Sequence, residues 1–479
     1  MKAGKKGAKM NAGVTLVSAI LAVAVQAAGT ADRFYGVDYG VEKNARGIRA
    51  VRLAKVDGKD QLTLQDPAGN WPQMALKTVR LDDGTLRVTV PWRKTEVEAV
   101  FFEKDGKRCF NGTVKGAEPC AFAGAEVDPN PQPKDVPPLF DGTPWPQRRA
   151  ALLKLFAKAE FGVRPVERPD DLAFKTAPDV TILGGKAVHR AVEISCKGPY
   201  GPFAFTAHAY LPKDARKVGV FVAIALGGRI RKEGFAPTAE DPSFHSCPVR
   251  DIIGRGFAVV VFDNWDVALD DKAKCFQSGV FAAFGPKERA ATSWGALSAW
   301  AWGASRVADW IETQPEIDMR RLGVVGHSRG GKTALWVGAT DERFTLVCDN
   351  ASGAGGSKLN HVDLPASEPY AVLARNLPHF FCPAFCAVAS QDERKFPYDQ
   401  HMLLAFVAPR RLCVGSCAED SWAGPVGQRA ACELASPAWE RLGAGGFGDR
   451  VRWHIVSGPH DLSIANWRHY MNAMDSLEK

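Results

Sequence analysis

From about residue 139 to the C terminus, short apolar runs alternate with helical ones, and this alternation constrains the fold more than any other feature of the chain. Val218 to Leu226, Gly256 to Phe262, Arg321 to Val325, Leu346 to Asp349, Arg411 to Gly415 and Val451 to Val456 read as buried strands. Gln147 to Phe161, Ala290 to Thr313 and Lys332 to Gly338 read as helices. Runs that are apolar on both faces need cover on both sides, so the spacing predicts a mostly parallel, doubly wound α/β sheet over residues 139–479.

The preceding residues have a different character. Thr85 to Val90 alternates with a period of two, and turn signals such as Asp82-Asp83-Gly84 separate the runs around it. Residues 33–127 are therefore expected to form a β-rich accessory module. The Pro-rich stretch 128–138 reads as a linker. At the start of the chain, Lys2, Lys5, Lys6 and Lys9 precede an apolar run from Val14 to Val25, which is the pattern of a signal peptide over residues 1–28. That run is shorter than the ~20 residues a spanning helix needs, so a secreted or periplasmic protein without stable membrane insertion is expected.

The 479 residues, 46% hydrophobic and 24% charged, suit a globular chain. Loss of the four N-terminal lysines lowers the formal charge from +8 to about +4, and the remaining basic residues are scattered, which gives no ground for nucleic-acid binding. Of the 11 cysteines, Cys382/Cys386 and Cys413/Cys417 are spaced by four within apolar stretches, without His at zinc-finger spacing. Buried thiols are expected there, not a metal site, and no disulfide connectivity follows.

One motif carries chemistry. Gly326-His327-Ser328-Arg329-Gly330 lies between an apolar strand and an Ala/Leu-rich helix, the context in which G-x-S-x-G forms the nucleophile elbow of the α/β-hydrolase fold. Glycines on both sides let the strained turn approach its neighbours. Ser328 is then the nucleophile, and it needs a base to take its proton. In this fold the acid and then the histidine follow the serine. His460, in Gly458-Pro-His-Asp461 after the last strand, meets that order; His454 and His469 lie within regular elements and read as structural. The acid is expected after the penultimate strand, where Asp420 is preferred and Glu419 is the alternative. Asp392-Glu393 also follows an apolar run and competes more weakly.

These residues also carry a family resemblance. Gly326-His-Ser-Arg-Gly-Gly-Lys332 resembles the G-C-S-R-x-G-K motif of glucuronoyl esterases, carbohydrate esterase family fifteen. Further similarity runs through Trp294-Gly-Ala-Leu-Ser-Ala-Trp-Ala-Trp302, Ser352-Gly-Ala-Gly-Gly356, Pro397-Tyr-Asp-Gln-His-Met-Leu-Leu-Ala405, Val407-Ala-Pro-Arg410, Asp420-Ser-Trp-Ala-Gly424 and the terminal Gly458-Pro-His-Asp461. The resemblance implies cleavage of esters of 4-O-methyl-glucuronic acid, as between xylan and lignin alcohols, by acyl transfer without a cofactor. It implies Arg329 as oxyanion stabiliser, Lys332 as a ligand of the uronate hydroxyls, and Trp422 and Glu368 beside the sugar.

Two departures stand out. Many members carry a catalytic Glu where this chain has Ala351, which shifts the acid's role to Asp420 or Glu419. His327 replaces the Cys that fungal members use for a disulfide. The alternatives to a glucuronoyl esterase are an acetylxylan esterase or a general carboxylesterase on the same fold. Arg329 and Lys332 favour a uronate, because an acetyl group offers the lysine nothing to bind. A noncatalytic carbohydrate-binding scaffold is a third reading; Ala351 supports it, while Ser328, His460 and Asp420 argue against it.

Overall fold

In a computed structural model, the chain is described for residues 132–227, 236–285, 288–362, 364, 367–389, 393–418, 420 and 422–477, and for the strands of the N-terminal region. The signal-peptide expectation, Glu419 and Asp392 lie outside the described residues. Among the described residues, no helix is long and apolar enough to cross a membrane.

The N-terminal strands form one sheet. They are β1 (Arg33–Asp38), β2 (Arg49–Val56), β3 (Lys59–Leu64), β4 (Val79–Asp82), β5 (Thr85–Val90), β6 (Thr95–Lys104), β7 (Lys107–Lys115) and β8 (Cys120–Glu126). All neighbours pair antiparallel, in the order β3-β2-β1-β8-β7-β6-β5-β4. This sheet belongs to a unit of residues 1–132, 363–368 and 419–424; the remaining residues form a second unit. The boundary falls within the Pro-rich stretch.

The second unit holds the other sheet. Its strands are β9 (Ala173–Thr176), β10 (Val180–Ile182), β11 (Ala187–Gly198), β12 (Gly201–Pro212), β13 (Val218–Ala225), β14 (Ala258–Asp263), β15 (Ile317–His327), β16 (Leu346–Asn350), β17 (Arg411–Cys417) and β18 (Val451–Val456). The order is β10-β11-β12-β14-β13-β15-β16-β17-β18, with β9 beside β11. From β14 to β18 all pairs are parallel, and β9 to β12 are antiparallel. This mostly parallel sheet, with the chain crossing over between β13 and β14, is the α/β-hydrolase arrangement. Strand β14, Ala-Val-Val-Val-Phe-Asp, is buried at every position, which is what an apolar run in a sheet covered on both faces requires.

Three helices position the site: α1 (Ala296–Ile311), α2 (Arg329–Thr340) and α3 (Ile464–Asp475). Every residue of α1 is buried, including Trp300, Trp302 and Trp310, each contributing several kcal/mol of apolar burial at about 25 cal/mol per Å². Its charged pair is compensated: Arg306 Nε donates to Asp309 at 2.6 Å and Arg343 Nη1 reaches the same carboxylate at 2.7 Å. The helix starts at Ala296, later than the sequence suggested. The backbone before it is diverted, with the Val163 N–H bonded to the Thr292 carbonyl and the Gly295 N–H to that of Phe161. The expected helix from Gln147 to Phe161 is also divided. An α-helix over Trp145–Phe156 passes into a wider π-helical turn over Ala157–Phe161, which buries both Glu160 and Phe161.

Candidate active site

The elbow forms where β15 runs directly into α2. Ser328 takes φ 56° and ψ −121°, a left-handed conformation that a residue with a side chain rarely adopts. Its backbone is held from both directions: the Ser328 N–H donates to the Asn350 carbonyl at 2.8 Å, and its own carbonyl accepts from Gly331 and Lys332. A Cβ on Gly326 would come within 1.9 Å of the Gly330 carbonyl oxygen, so only glycine fits there. The second tight position is Gly331, where a Cβ would meet Asp349 Oδ1 at 2.2 Å; at Gly330 the contacts are ordinary, 3.5 Å or more. The glycine requirement after the serine thus falls one residue later than G-x-S-x-G suggests.

His460 follows β18, and its ring lies 4.4 Å from that of His327, tilted by 44°. The base candidate is therefore packed against the residue preceding Ser328. His454 and His469 stack on each other at 4.0 Å, and burial, with His469 beside it, pushes the half-buried His454 down to about 3.

Arg329 opens α2, where first-turn N–H groups lack helical partners and favour developing negative charge. Its guanidinium is paired with Asp270 and lies 5.4 Å from the centre of the Phe380 ring. Asp270 in turn accepts from His379 Nε2 at 2.9 Å. Burial works to raise the Asp270 carboxyl, but the His379 hydrogen bond and the Arg329 charge outweigh it and hold it below its ordinary value. Asp270 and His379 were not singled out from sequence; Asp270 sits in an irregular segment and His379 in a single 3-10 turn, Pro378–Phe380, both far along the chain from Ser328.

Lys332 is 3% exposed, and its ammonium donates to the Ser352 carbonyl. Around it lie Asp349, pushed up to about 6 by burial against the Ser357 and Ser352 hydrogen bonds, and Glu160. Glu160 is fully buried and pushed up to about 8 by that burial, although Gln400 donates to it at 3.2 Å. Ala351 occupies the position of the displaced acid, with φ 50° and its N–H bonded to the Gly415 carbonyl at 2.8 Å.

Asp420, Trp422 and Glu368 belong to the first unit. Asp420 is 1% exposed and accepts from the Ala423 N–H at 3.1 Å. Trp422 and Glu368 are joined twice: indole Nε1 donates to Glu368 Oε1 at 3.2 Å, and the Glu368 N–H donates to the Trp422 carbonyl at 2.8 Å. Glu393 is engaged elsewhere, accepting from the Tyr370 N–H at 2.6 Å at a helix start. Cys382, Cys413 and Cys417 are buried and Cys386 is half-buried.

A family model for the fungal glucuronyl esterases matches residues 238–443. The carbohydrate esterase MZ0003 of an unknown prokaryotic organism is 30% identical over 369 residues, which are 69% of this chain and 84% of that protein. The chain belongs to the glucuronoyl esterase family. As a glucuronoyl esterase it is a carboxylic ester hydrolase. A 4-O-methyl-glucuronoyl methylesterase of Podospora anserina is 34% identical over 204 residues, covering 40% of this chain and 41% of that protein. The solved glucuronoyl esterase of Solibacter usitatus superposes with a TM-score of 0.65 at 29% identity, over 73% of this chain and 99% of that one. A promiscuous esterase of carbohydrate esterase family 15 from a marine bacterial metagenome matches with a TM-score of 0.61 at 28% identity, over 72% of this chain and 97% of that one.

Proposed function

We propose that this glucuronoyl esterase hydrolyses esters of (4-O-methyl-)glucuronic acid, including lignin–glucuronoxylan linkages, through a Ser328–His460–Asp420 triad and an acyl-enzyme. The observation that carries the reading is the strained Ser328 turn with His460 packed against its neighbour His327.

In the first step Ser328 Oγ attacks the ester carbonyl while His460 takes its proton. The oxyanion forms against the Arg329 N–H and the guanidinium that Asp270 holds. His460 then returns the proton to the departing alcohol, leaving the uronate as an ester on Ser328. Water, deprotonated by His460, attacks that ester, and the free uronic acid leaves. Asp420 is assigned as the acid that orients His460 from its place after β17, the order in which this fold presents its carboxylate. Lys332, Trp422 and Glu368 are assigned to the sugar. The chemistry supports this: an ammonium donates to ring hydroxyls, an indole covers an apolar sugar face, and a carboxylate accepts from hydroxyls. Action outside the cell, after removal of residues 1–28, fits a polymeric plant substrate.

The test is hydrolysis of benzyl glucuronate and p-nitrophenyl acetate by the wild type and Ser328→Ala. The reading expects preference for the uronate and no turnover by the folded mutant. Preference for the acetate would favour a general carboxylesterase, and a tenth of wild-type turnover in Ser328→Ala would exclude this nucleophile.

A further inference from the structure

Asn350 ends β16, one residue before Ala351, and its side chain is fully buried. Its polar atoms reach three separate parts of the molecule. Nδ2 donates to the carbonyl oxygen of Asp461 at 2.7 Å and lies 3.0 Å from His327 Nδ1. Oδ1 accepts from the Tyr470 hydroxyl of α3 at 2.9 Å. The main-chain carbonyl accepts from the Ser328 N–H at 2.8 Å.

Chemistry fixes how this amide is turned. A carbonyl oxygen only accepts, so the group facing Asp461 must be the NH₂. Its second hydrogen then goes to His327 Nδ1, which is the unprotonated nitrogen, and the His327 proton sits on Nε2. Asp461 directly follows His460, and His327 directly precedes Ser328. One buried amide therefore joins the residue next to the base and the residue next to the nucleophile.

The loop starts from the edge of the sheet. It leaves β18, the last strand of the sheet, through Gly458 at φ 118°. Besides the His460–His327 ring contact, Asp461 is held twice more: His245 Nε2 lies 2.7 Å from Asp461 Oδ1, and Cys417 Sγ points at the Asp461 carbonyl from 3.3 Å. His245 is about half exposed, so water competes for that pair, whereas the Asn350 amide is fully buried and His327 nearly so.

We infer that Asn350 is a positioning residue: it fastens the His460 loop to the Ser328 elbow and so sets the separation across which the proton passes. This rests on the assignment of Ser328 and His460 as nucleophile and base. A misplacement of about 1 Å is enough to cost ~10²-fold in rate.

The experiment measures kcat and KM on benzyl glucuronate for Asn350→Ala and Asn350→Asp, normalised to sites titrated with a serine-reactive phosphonate. A purely structural role would lower the titrated fraction and leave turnover per site unchanged. Asn350→Ala is expected to lose about 10²-fold in kcat per site, with KM within about threefold of wild type. Turnover per site within about threefold of wild type would overturn the inference. Should Asn350→Ala not fold, Asn350→Asp, of the same shape, decides. Its ionised carboxylate cannot donate to Asp461, but its protonated form can, so its turnover per site relative to wild type should rise as pH falls from about 8 to about 5. A flat ratio across that range rejects the role. Turnover by Ser328→Ala removes the ground of both readings. An inactive Ser328→Ala beside normal Asn350 variants removes this one alone.

Discussion

His379 Nε2 donates to Asp270 Oδ1 at 2.9 Å, while the other oxygen of the same carboxylate takes the Arg329 guanidinium. The pair works as a bracket. His379 is 2% exposed and packs edge-on to Phe380, over whose ring Arg329 lies. In the proposed mechanism, a guanidinium held in this way needs no reorganisation when negative charge develops on the ester oxygen, the condition under which such donors contribute most.

Asp270→Asn keeps an acceptor for His379 but removes the charge that holds Arg329. The expected loss is about tenfold or more in kcat on a glucuronate ester, with KM little changed, since the donor acts mainly in the transition state. Steady-state kinetics check it. A rise in KM at constant kcat would assign the bracket to ground-state binding.

Lys332→Ala should raise KM for benzyl glucuronate far more than for p-nitrophenyl acetate. Of the two substrates, only the glucuronate loses a charge-assisted hydrogen bond, worth ~1.5–3 kcal/mol. The Ser352 carbonyl also loses its donor, so a lower melting temperature accompanies the change, equally for both assays. Equal losses on the two esters would reduce Lys332 to a structural part.

Asp420→Asn preserves shape and removes the charge assigned to stabilise the His460 imidazolium. In the serine-protease precedent, the same change costs about 10⁴ in kcat. Glu419→Gln should cost less than about threefold on the same ester. The opposite asymmetry exchanges their roles. Two near-normal mutants would return the search to Asp392 and Glu393.

Glu160 gives a pH dependence to stability. Its carboxyl is raised by burial from an ordinary 4.5 to about 8, so between those values the folded chain keeps a proton that the unfolded chain has released. The contribution is complete below about pH 4.5 and is lost as pH rises towards about 8. Melting temperatures measured from about pH 5 to about pH 8 should therefore decline more gently in Glu160→Gln than in the wild type. Asp349, raised to about 6, adds to the decline in both proteins. Parallel curves would show that Glu160 is already ionised in the folded state.

The Ser328 elbow was legible because the pattern that marks it is local: an apolar strand, glycines and a helix within some twenty residues. The place of His460 after the last strand was legible from chain order, since it follows β18. Asp270, His379 and Asn350 were not, because each acts through a contact with residues remote in sequence and belongs to no short pattern. Asn350 left one trace, as a polar residue at the carboxyl end of a parallel strand, where this class of sheet builds its sites. The long pair β11 and β12 was passed over for another reason. Ala204 faces solvent while Ala207 and Ala209 are buried, so small residues on both faces blur the period of two. Glu160 was hidden inside a segment that reads as an ordinary solvated helix.

The residues assigned as nucleophile and base, Ser328 and His460, sit on unequal ground. Strand β15 is flanked by β13 and β16, whereas β18 has β17 on one side and ends the sheet, with Ile455 44% exposed. If the edge opens first, the enzyme should lose its assigned base, His460, while Ser328 stays in its turn. Heat should therefore silence this esterase in two stages, a reversible loss of catalysis below the temperature at which its tryptophans report collapse of the core.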